Sequence, residues 1–334
     1  MYLNLLSFLG CGLVILLAGK QLSCYGDLLA EKTGIGKAFI GLFLMSAVTS
    51  LPELMVGISS SALVQSADLA VGDILGSCAF NLVILSLMDL FSRSQNPLLS
   101  GVSQSHILAA SLGTILLALV GLGIFLETDI VILPFIGLNS ILFAVIYFVA
   151  LGLIYRYQRR YPTLQANAED PDAALRIEQV IFRYVFFAII TIVAALFLPH
   201  LADAIAEQTG LGRNFVGTLF LAVSTSLPEI TVSVAAVRMN SSDLAVGNIL
   251  GSNIFNVFIL FLDDIFYTKG HLLKDASDFN LISVFSAIIM SAIVIISITF
   301  NSQAKKKYLL NWDTLLIALV YLLSITLLYK LTSS

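Results

Sequence analysis

Apolar residues run through this chain in long blocks separated by short polar turns. Most blocks approach or exceed the roughly 20 residues a helix needs to cross a bilayer. Ten can be placed, at 2–22, 36–62, 68–91, 105–126, 129–154, 179–203, 212–237, 244–267, 280–300 and 311–330. The pattern predicts an all-α integral membrane protein with about ten transmembrane helices. Composition agrees, since 58% of the 334 residues are hydrophobic and only 11% are charged, whereas a soluble domain is nearer a quarter charged. The first block lacks a basic n-region and a small-residue cleavage site, so it reads as a retained helix rather than a signal peptide. Cys11, Cys24 and Cys78 lie in or beside blocks, an odd number whose placement points to packing rather than to disulfides or a metal.

Two polar strings interrupt the apolar pattern. TSLPE runs from Thr49 to Glu53 and again, 176 positions later, from Thr225 to Glu229. Each copy is followed by a second matched string, DLAVGDILGSCAFN ending at Asn81 and DLAVGNILGSNIFN ending at Asn256. An acid in the middle of an apolar helix costs on the order of 3 kcal/mol even on permissive insertion scales. Packing alone does not account for two of them, each beside a proline.

The repeat is wider than these strings. Asp27–Glu53 aligns without gaps to Asp203–Glu229, with 13 of 27 positions identical. The offset then falls from 176 to 175, because the turn before Asp68 is one residue longer than the turn before Asp243. Five spans per half is an odd number, so the second half enters the membrane the other way up. This is the inverted-repeat architecture of secondary transporters, with the site at the midplane between the halves. The expected division is 1–154, a linker over 155–178 that is the longest polar stretch, and 179–334. A duplicated scaffold is the blander alternative, but a scaffold has no need of mirrored carboxylates.

Charge supplies the orientation. With the N-terminus outside, cytoplasmic loops and span ends collect 13 Lys and Arg residues and the outer side four, so both termini are expected outside. No basic stripe suggests nucleic acid.

Pro52 and Pro228 lack a backbone donor, and each ring crowds the carbonyl four residues earlier. The turns Ser46–Thr49 and Ala222–Thr225 are therefore expected to loosen and offer carbonyl oxygens, tolerable at membrane depth only against protein or water. Thr49, Ser50, Thr225 and Ser226 add hydroxyls around Glu53 and Glu229. Ser77 and Asn81 share a helix face, as do Ser252 and Asn256. Gly72 with Gly76, and Gly247 with Gly251, are small-xxx-small patterns that permit close helix approach. All these candidate ligands are hard oxygens, and no His or Cys recurs at matched positions, which argues against zinc, copper and iron. Calcium takes six to eight such oxygens. Two glutamates match one divalent charge, although the same cage suits sodium or protons. The alternative is a pair of glutamates buried only for helix–helix hydrogen bonding.

These doubled motifs resemble the cation/calcium antiporter superfamily, which includes the sodium/calcium exchangers. The resemblance implies a calcium site at Glu53 and Glu229 with Thr49 and Thr225. It implies flanking sodium sites using Ser77, Ser252, the two glutamates and the carbonyls of Ser46 and Ala222, with Asn81 and Asn256 lining the centre. It also implies alternating access, in which the first helices of the two halves slide over the remaining core. The transported ions would be Ca2+ and Na+, with H+ an alternative, and no cofactor. The expected partners are the lipid bilayer and these ions, and the expected state is a monomer in the plasma (cell inner) membrane.

The chain departs from the family pattern in three places. Asn256 stands where an aspartate is usual; Val48 and Ser224 replace the glycine before the threonine; and Asp73 stands opposite Asn248 in the repeat, with Cys78-Ala79 in place of Asn-Ile. Asp73 either restores negative charge or admits ions and protons, or it makes a local hydrogen bond or serves a helix end. Asp89 and Asp264 also correspond across the halves and are expected near water at helix ends. His106, His200 and His271 are expected to be solvated or interfacial.

The leading function is sodium/calcium antiport. Proton/calcium exchange is the neighbouring alternative, disfavoured by the absence of a G-N-A-x-E pattern. An intramembrane aspartyl protease would need a second Gly-x-Gly-Asp, which is absent, and a channel would not need mirrored occluding sites.

Overall fold

The computed structural model describes residues 2–92, 96–126, 131–133, 136–160, 175–208, 222–300 and 311–332. Eight helices there are long and apolar enough to span a membrane, and a ninth candidate is a pair bent by 42°. The helices are α1 (Tyr2–Thr33), the bent pair α2 (Lys37–Thr49) and α3 (Leu51–Val64), α4 (Ala67–Leu87), α5 (Ser105–Leu126), α6 (Leu138–Arg160), α7 (Ile177–Gln208), α8 (Leu227–Arg238), α9 (Ser242–Phe266), α10 (Asn280–Phe300) and α11 (Trp312–Thr332). The seventh predicted span, 212–237, is described only from 222 onward, as a helical turn over 222–225 followed by α8.

Three boundaries differ instructively from the hydrophobic pattern. α1 continues 11 residues past its predicted end. Its polar extension is held by Lys37, whose Nζ lies 2.7 Å from Asp27 and 3.2 Å from Glu31. The block expected to be helical over 129–154 instead begins with a short antiparallel pair, Val131–Leu133 with Ile136–Gly137, and becomes helical at Leu138. Within the predicted linker, 155–178, α6 covers 155–160 and α7 begins at Ile177, while 161–174 lie outside the described residues.

The helices sort by burial. In the most apolar stretch of α9, 89% of residues are buried, and in that of α4, 72%; for α1 and α11 the figure is 17%. α4 and α9 are therefore the interior pair. α1 and α7, the first helices of the two halves, pack against each other more extensively than any other two helices. Both expose large apolar side chains outward, among them Leu9, Leu13, Phe182 and Phe186, the surface expected toward lipid.

Close backbone approach sets the core. A Cβ added to Gly251 would sit 2.2 Å from the Leu42 carbonyl oxygen, and one on Gly247 would sit 2.5 Å from that of Ala38. Only glycine allows α2 to cross α9 at that distance. The stretch of the second half equivalent to Ala38–Leu42 lies outside the described residues.

Candidate ion-binding site

Each TSLPE motif starts a new helix. Proline is favoured in a first helical turn because its missing donor would be unpaired there. Pro52 sits in the first turn of α3 behind Ser50 (φ −89°, ψ 11°), and Pro228 in that of α8 behind Ser226 (φ −83°, ψ 7°). The chain thus breaks at Ser50 and Ser226, one residue beyond the turns expected to loosen. The Ser46 carbonyl accepts from the Ser50 N–H (2.9 Å), and the Ala222 carbonyl from the Ser226 N–H (3.2 Å). Thr49 and Thr225 hydroxyls lie 3.3 and 2.9 Å from the same two oxygens. Ahead of Ser46, α2 widens to π-helical pairing over Ile40–Met45, a distortion frequent at functional sites. Each glutamate falls in the first turn of its new helix, where the backbone dipole favours negative charge.

The two breaks meet in the protein interior. Glu53 is 1% exposed and Glu229 is 0%. Ser50 Oγ donates to Glu229 Oε1 at 2.9 Å, and Ser226 Oγ donates to Glu53 Oε1 at 3.4 Å. Each half thus supplies the donor for the other half's acid. Ser252 Oγ also donates to Glu229 Oε1 (3.4 Å), and Thr49 Oγ1 lies 3.5 Å from Ser252 Oγ and 3.3 Å from Asn248 Oδ1.

The second oxygen of each glutamate has no hydrogen-bond partner among the described residues. The same is true of Ser77 Oγ, Asn81 Oδ1 and both amide atoms of Asn256. All of these residues are at most 1% exposed. Buried polar groups are ordinarily paired, and each exception requires a reason. Here the exceptions coincide with candidates that the repeat singles out. Among the described residues, no three His, Cys, Asp or Glu side chains are grouped to hold a metal, so neutral oxygens must supply most of any coordination shell.

Asn253 and Asn248 join the site without having been singled out. Asn253 Oδ1 accepts from Asn81 Nδ2 at 3.1 Å while its own amide donates to the Cys78 carbonyl at 3.1 Å. Asn253 and Cys78 are equivalent positions, so the Cys substitution leaves one crossing asparagine where symmetry would give two. Asn248 donates to Ser233 Oγ at 2.9 Å. The site spacing in the GSNIFN string was a usable signal for Asn253.

Asp89, Asp264 and His106 make their hydrogen bonds away from the glutamates. Asp89 and Asp264 are buried at 6% and 2%, not facing water. Asp89 accepts from the Leu98 N–H and from Asn311 (both 2.7 Å); Asp264 accepts from the Leu272 N–H (2.9 Å) and Ser140 (2.5 Å). Equivalent acids therefore anchor equivalent loops. His106 is buried, not solvated, and pairs through Nε2 with Asp243 at 2.9 Å. Asp68, the counterpart of Asp243, accepts from Asn280 and the Ser277 N–H. His200 is exposed and His271 half-buried.

Comparison with known proteins fits this architecture. The sequence profile of the family described as sodium/calcium exchanger protein matches residues 3–156 and 179–330. The chain belongs to the sodium/calcium exchanger family. It is 30% identical to the inner membrane protein YrbG of Escherichia coli over 291 residues, 83% of this chain and 85% of that one. Over 150 residues, 45% of this chain and 40% of the relative, it is 31% identical to the sodium/calcium exchanger MaX1 of Methanosarcina acetivorans. A solved structure of the sodium–calcium exchanger NCX_Mj matches with a TM-score of 0.72 at 19% identity, covering 98% of this chain and 99% of that one. The protein is thus an integral membrane antiporter of this family, built on its inverted-repeat fold, and not an enzyme.

Proposed function

We propose that this member of the family exchanges calcium for sodium by alternating access, with Glu53 and Glu229 holding the calcium ion between the two halves. The observation that carries the proposal is the crossed pair of serine-to-glutamate hydrogen bonds beside unpartnered carboxylate, hydroxyl and amide oxygens. Two carboxylates in an interior without compensating cations are costly, and one divalent ion matches their charge. Thr49, Thr225, Ser50 and Ser226 would contribute hydroxyl oxygens. Ser77, Ser252, Asn81, Asn256 and the carbonyls of Ser46 and Ala222 would complete calcium and flanking sodium positions.

Repeats over 1–154 and 179–334, joined by 155–178, would form the two halves. The α1–α7 pair, packed mainly on itself and lightly buried, suits the moving element, sliding over the α4–α9 interior. Thirteen basic residues against four support both termini outside, in the cell membrane. The MaX1 relative, named a sodium/calcium exchanger, supports sodium as the coupling ion. Protons are the alternative, since glutamates can carry either.

Flux in reconstituted vesicles tests this directly. Calcium uptake is expected under a sodium gradient and not under a pH gradient alone. Uptake driven only by the pH gradient would assign proton coupling, and uptake under neither would remove calcium as the substrate.

A further inference from the structure

Acids also lie outside the central pair. Asp263 on α9 is fully buried, and neither carboxylate oxygen has a hydrogen-bond partner among the described residues. It packs on Gly57, one turn beyond Glu53 on α3, where an added Cβ would sit 2.4 Å from Oδ2 and 2.6 Å from Oδ1. Asp73, one turn before Ser77 on α4, is within electrostatic reach of both Asp263 and Glu53. Its Oδ2 is likewise buried and unpartnered. One turn past Gly57, the Ser61 hydroxyl is buried with no partner.

The other half shows what the fold builds at the equivalent place. There Gly57, Ser61, Asp73 and Asp263 correspond to Ser233, Val237, Asn248 and Met88. Asn248 donates to Ser233 at 2.9 Å, and Met88 and Val237 are buried apolar side chains. That end is closed by a satisfied hydrogen bond and hydrocarbon, so helix packing does not require acids here. A buried carboxylate without donors is costly unless a cation offsets it.

We propose that Asp73 and Asp263, with the Ser61 hydroxyl, form a second cation site, one turn from Glu53 and on one side of the central pair only. Calcium occupies it on the way to Glu53 and Glu229. The inference rests on the calcium reading above. Two carboxylates and a hydroxyl are ligands that hard divalent ions accept, and Gly57 leaves the Asp263 carboxylate room beside α3. The site lies at the end of the bundle where Gln65 meets Phe266 and Lys269, the outer end by the distribution of basic residues.

The test measures half-saturating calcium on each face, in vesicles sorted by orientation, for wild type, Asp73→Asn, Asp263→Asn and the triple exchange Gly57→Ser/Asp73→Asn/Asp263→Met. A rise of about tenfold, the loss of one tenfold step in affinity, is expected on the face bearing Gln65 and Lys269, with less than about a twofold change on the other. No change on either face, or equal changes on both, would overturn the second site. Asp73 is only partly buried, so Asp73→Asn carries the test if the Asp263 variants do not fold. A wild-type protein that moves no calcium under any gradient would instead remove the calcium reading itself.

Discussion

On one side of the central glutamates, Asn248 and Ser233 are hydrogen-bonded to each other and a buried Met88 occupies the third matched position; on the other, the matched positions hold Asp73, Gly57 and an unpartnered Asp263 packed on Gly57. The centre between them is nearly symmetric, each glutamate taking a hydrogen bond from the opposite half's serine. An exchanger must bind its ion when open to either side, and a symmetric centre suits that task. The surroundings need not be symmetric, because the two faces meet different ion concentrations. Residues identical in both halves therefore mark what both open states share, and residues that differ mark what distinguishes the faces.

The largest test of this comparison is at the centre. Glu53→Gln and Glu229→Gln are each expected to lower calcium flux by at least about 100-fold, since calcium affinity follows the number of charged ligands. Near-equal losses would support one shared site. A variant in either position that keeps wild-type flux in a folded protein would break the pairing.

The centre was legible in the sequence because duplication wrote it twice. Matching strings gave Glu53, Glu229, Ser77, Ser252, Asn81 and Asn256; all six are buried, and Ser252 is hydrogen-bonded to Glu229. What remained hidden had no second copy or no local pattern. Asp263 sits in the last turns of an apolar helix and corresponds to Met88, so the repeat gave it no emphasis. The crossing of Ser50 to Glu229 depends on how the halves dock, which no local spacing reports. Asp27 and Glu31 made the end of α1 look like a loop, because their partner Lys37 lies across a turn. The short β pair before Leu138 falls in a run that the hydrophobic pattern predicts as helix, because brief apolar runs fit either element.

A smaller effect is expected from Asn256→Asp. The substitution places a third carboxylate among unpartnered oxygens at the centre, and calcium affinity should rise about tenfold in equilibrium binding to purified protein, as added ligand charge does in other calcium sites. An unchanged affinity would mean that Asp73 or another acid already supplies that charge, which would weaken the separation between the centre and the proposed second site. Gly251→Ala tests the scaffold beneath it. Its Cβ would meet the Leu42 carbonyl at 2.2 Å, and such overpacking typically costs about 1–3 kcal/mol, visible as a lower melting temperature. A melting point equal to wild type would show that α2 can back away from α9.

The smallest expected effect compares two anchors far from the ions. His106 reaches Asp243 at 2.9 Å from a fully buried position, whereas Asn280 reaches Asp68 at 3.4 Å from a partly exposed one. Hydrogen bonds weaken with length, and those to charged groups are the stronger ones. His106 donates from the interior to an Asp243 carboxylate that is 20% exposed and also accepts from the Ser103 N–H, so its removal costs the shorter bond and the packing of a buried ring. His106→Ala should therefore destabilise by about 1–3 kcal/mol and Asn280→Ala by about 1 kcal/mol or less, with calcium affinity unchanged in both. Melting temperature and calcium binding, measured on the same samples, check the two statements together. Equal losses of stability would mean that the two halves are energetically matched at this anchor despite different chemistry. A shift in calcium affinity from either variant would show that these loops bear on the ion site, and the division between a shared centre and independent ends would have to be redrawn.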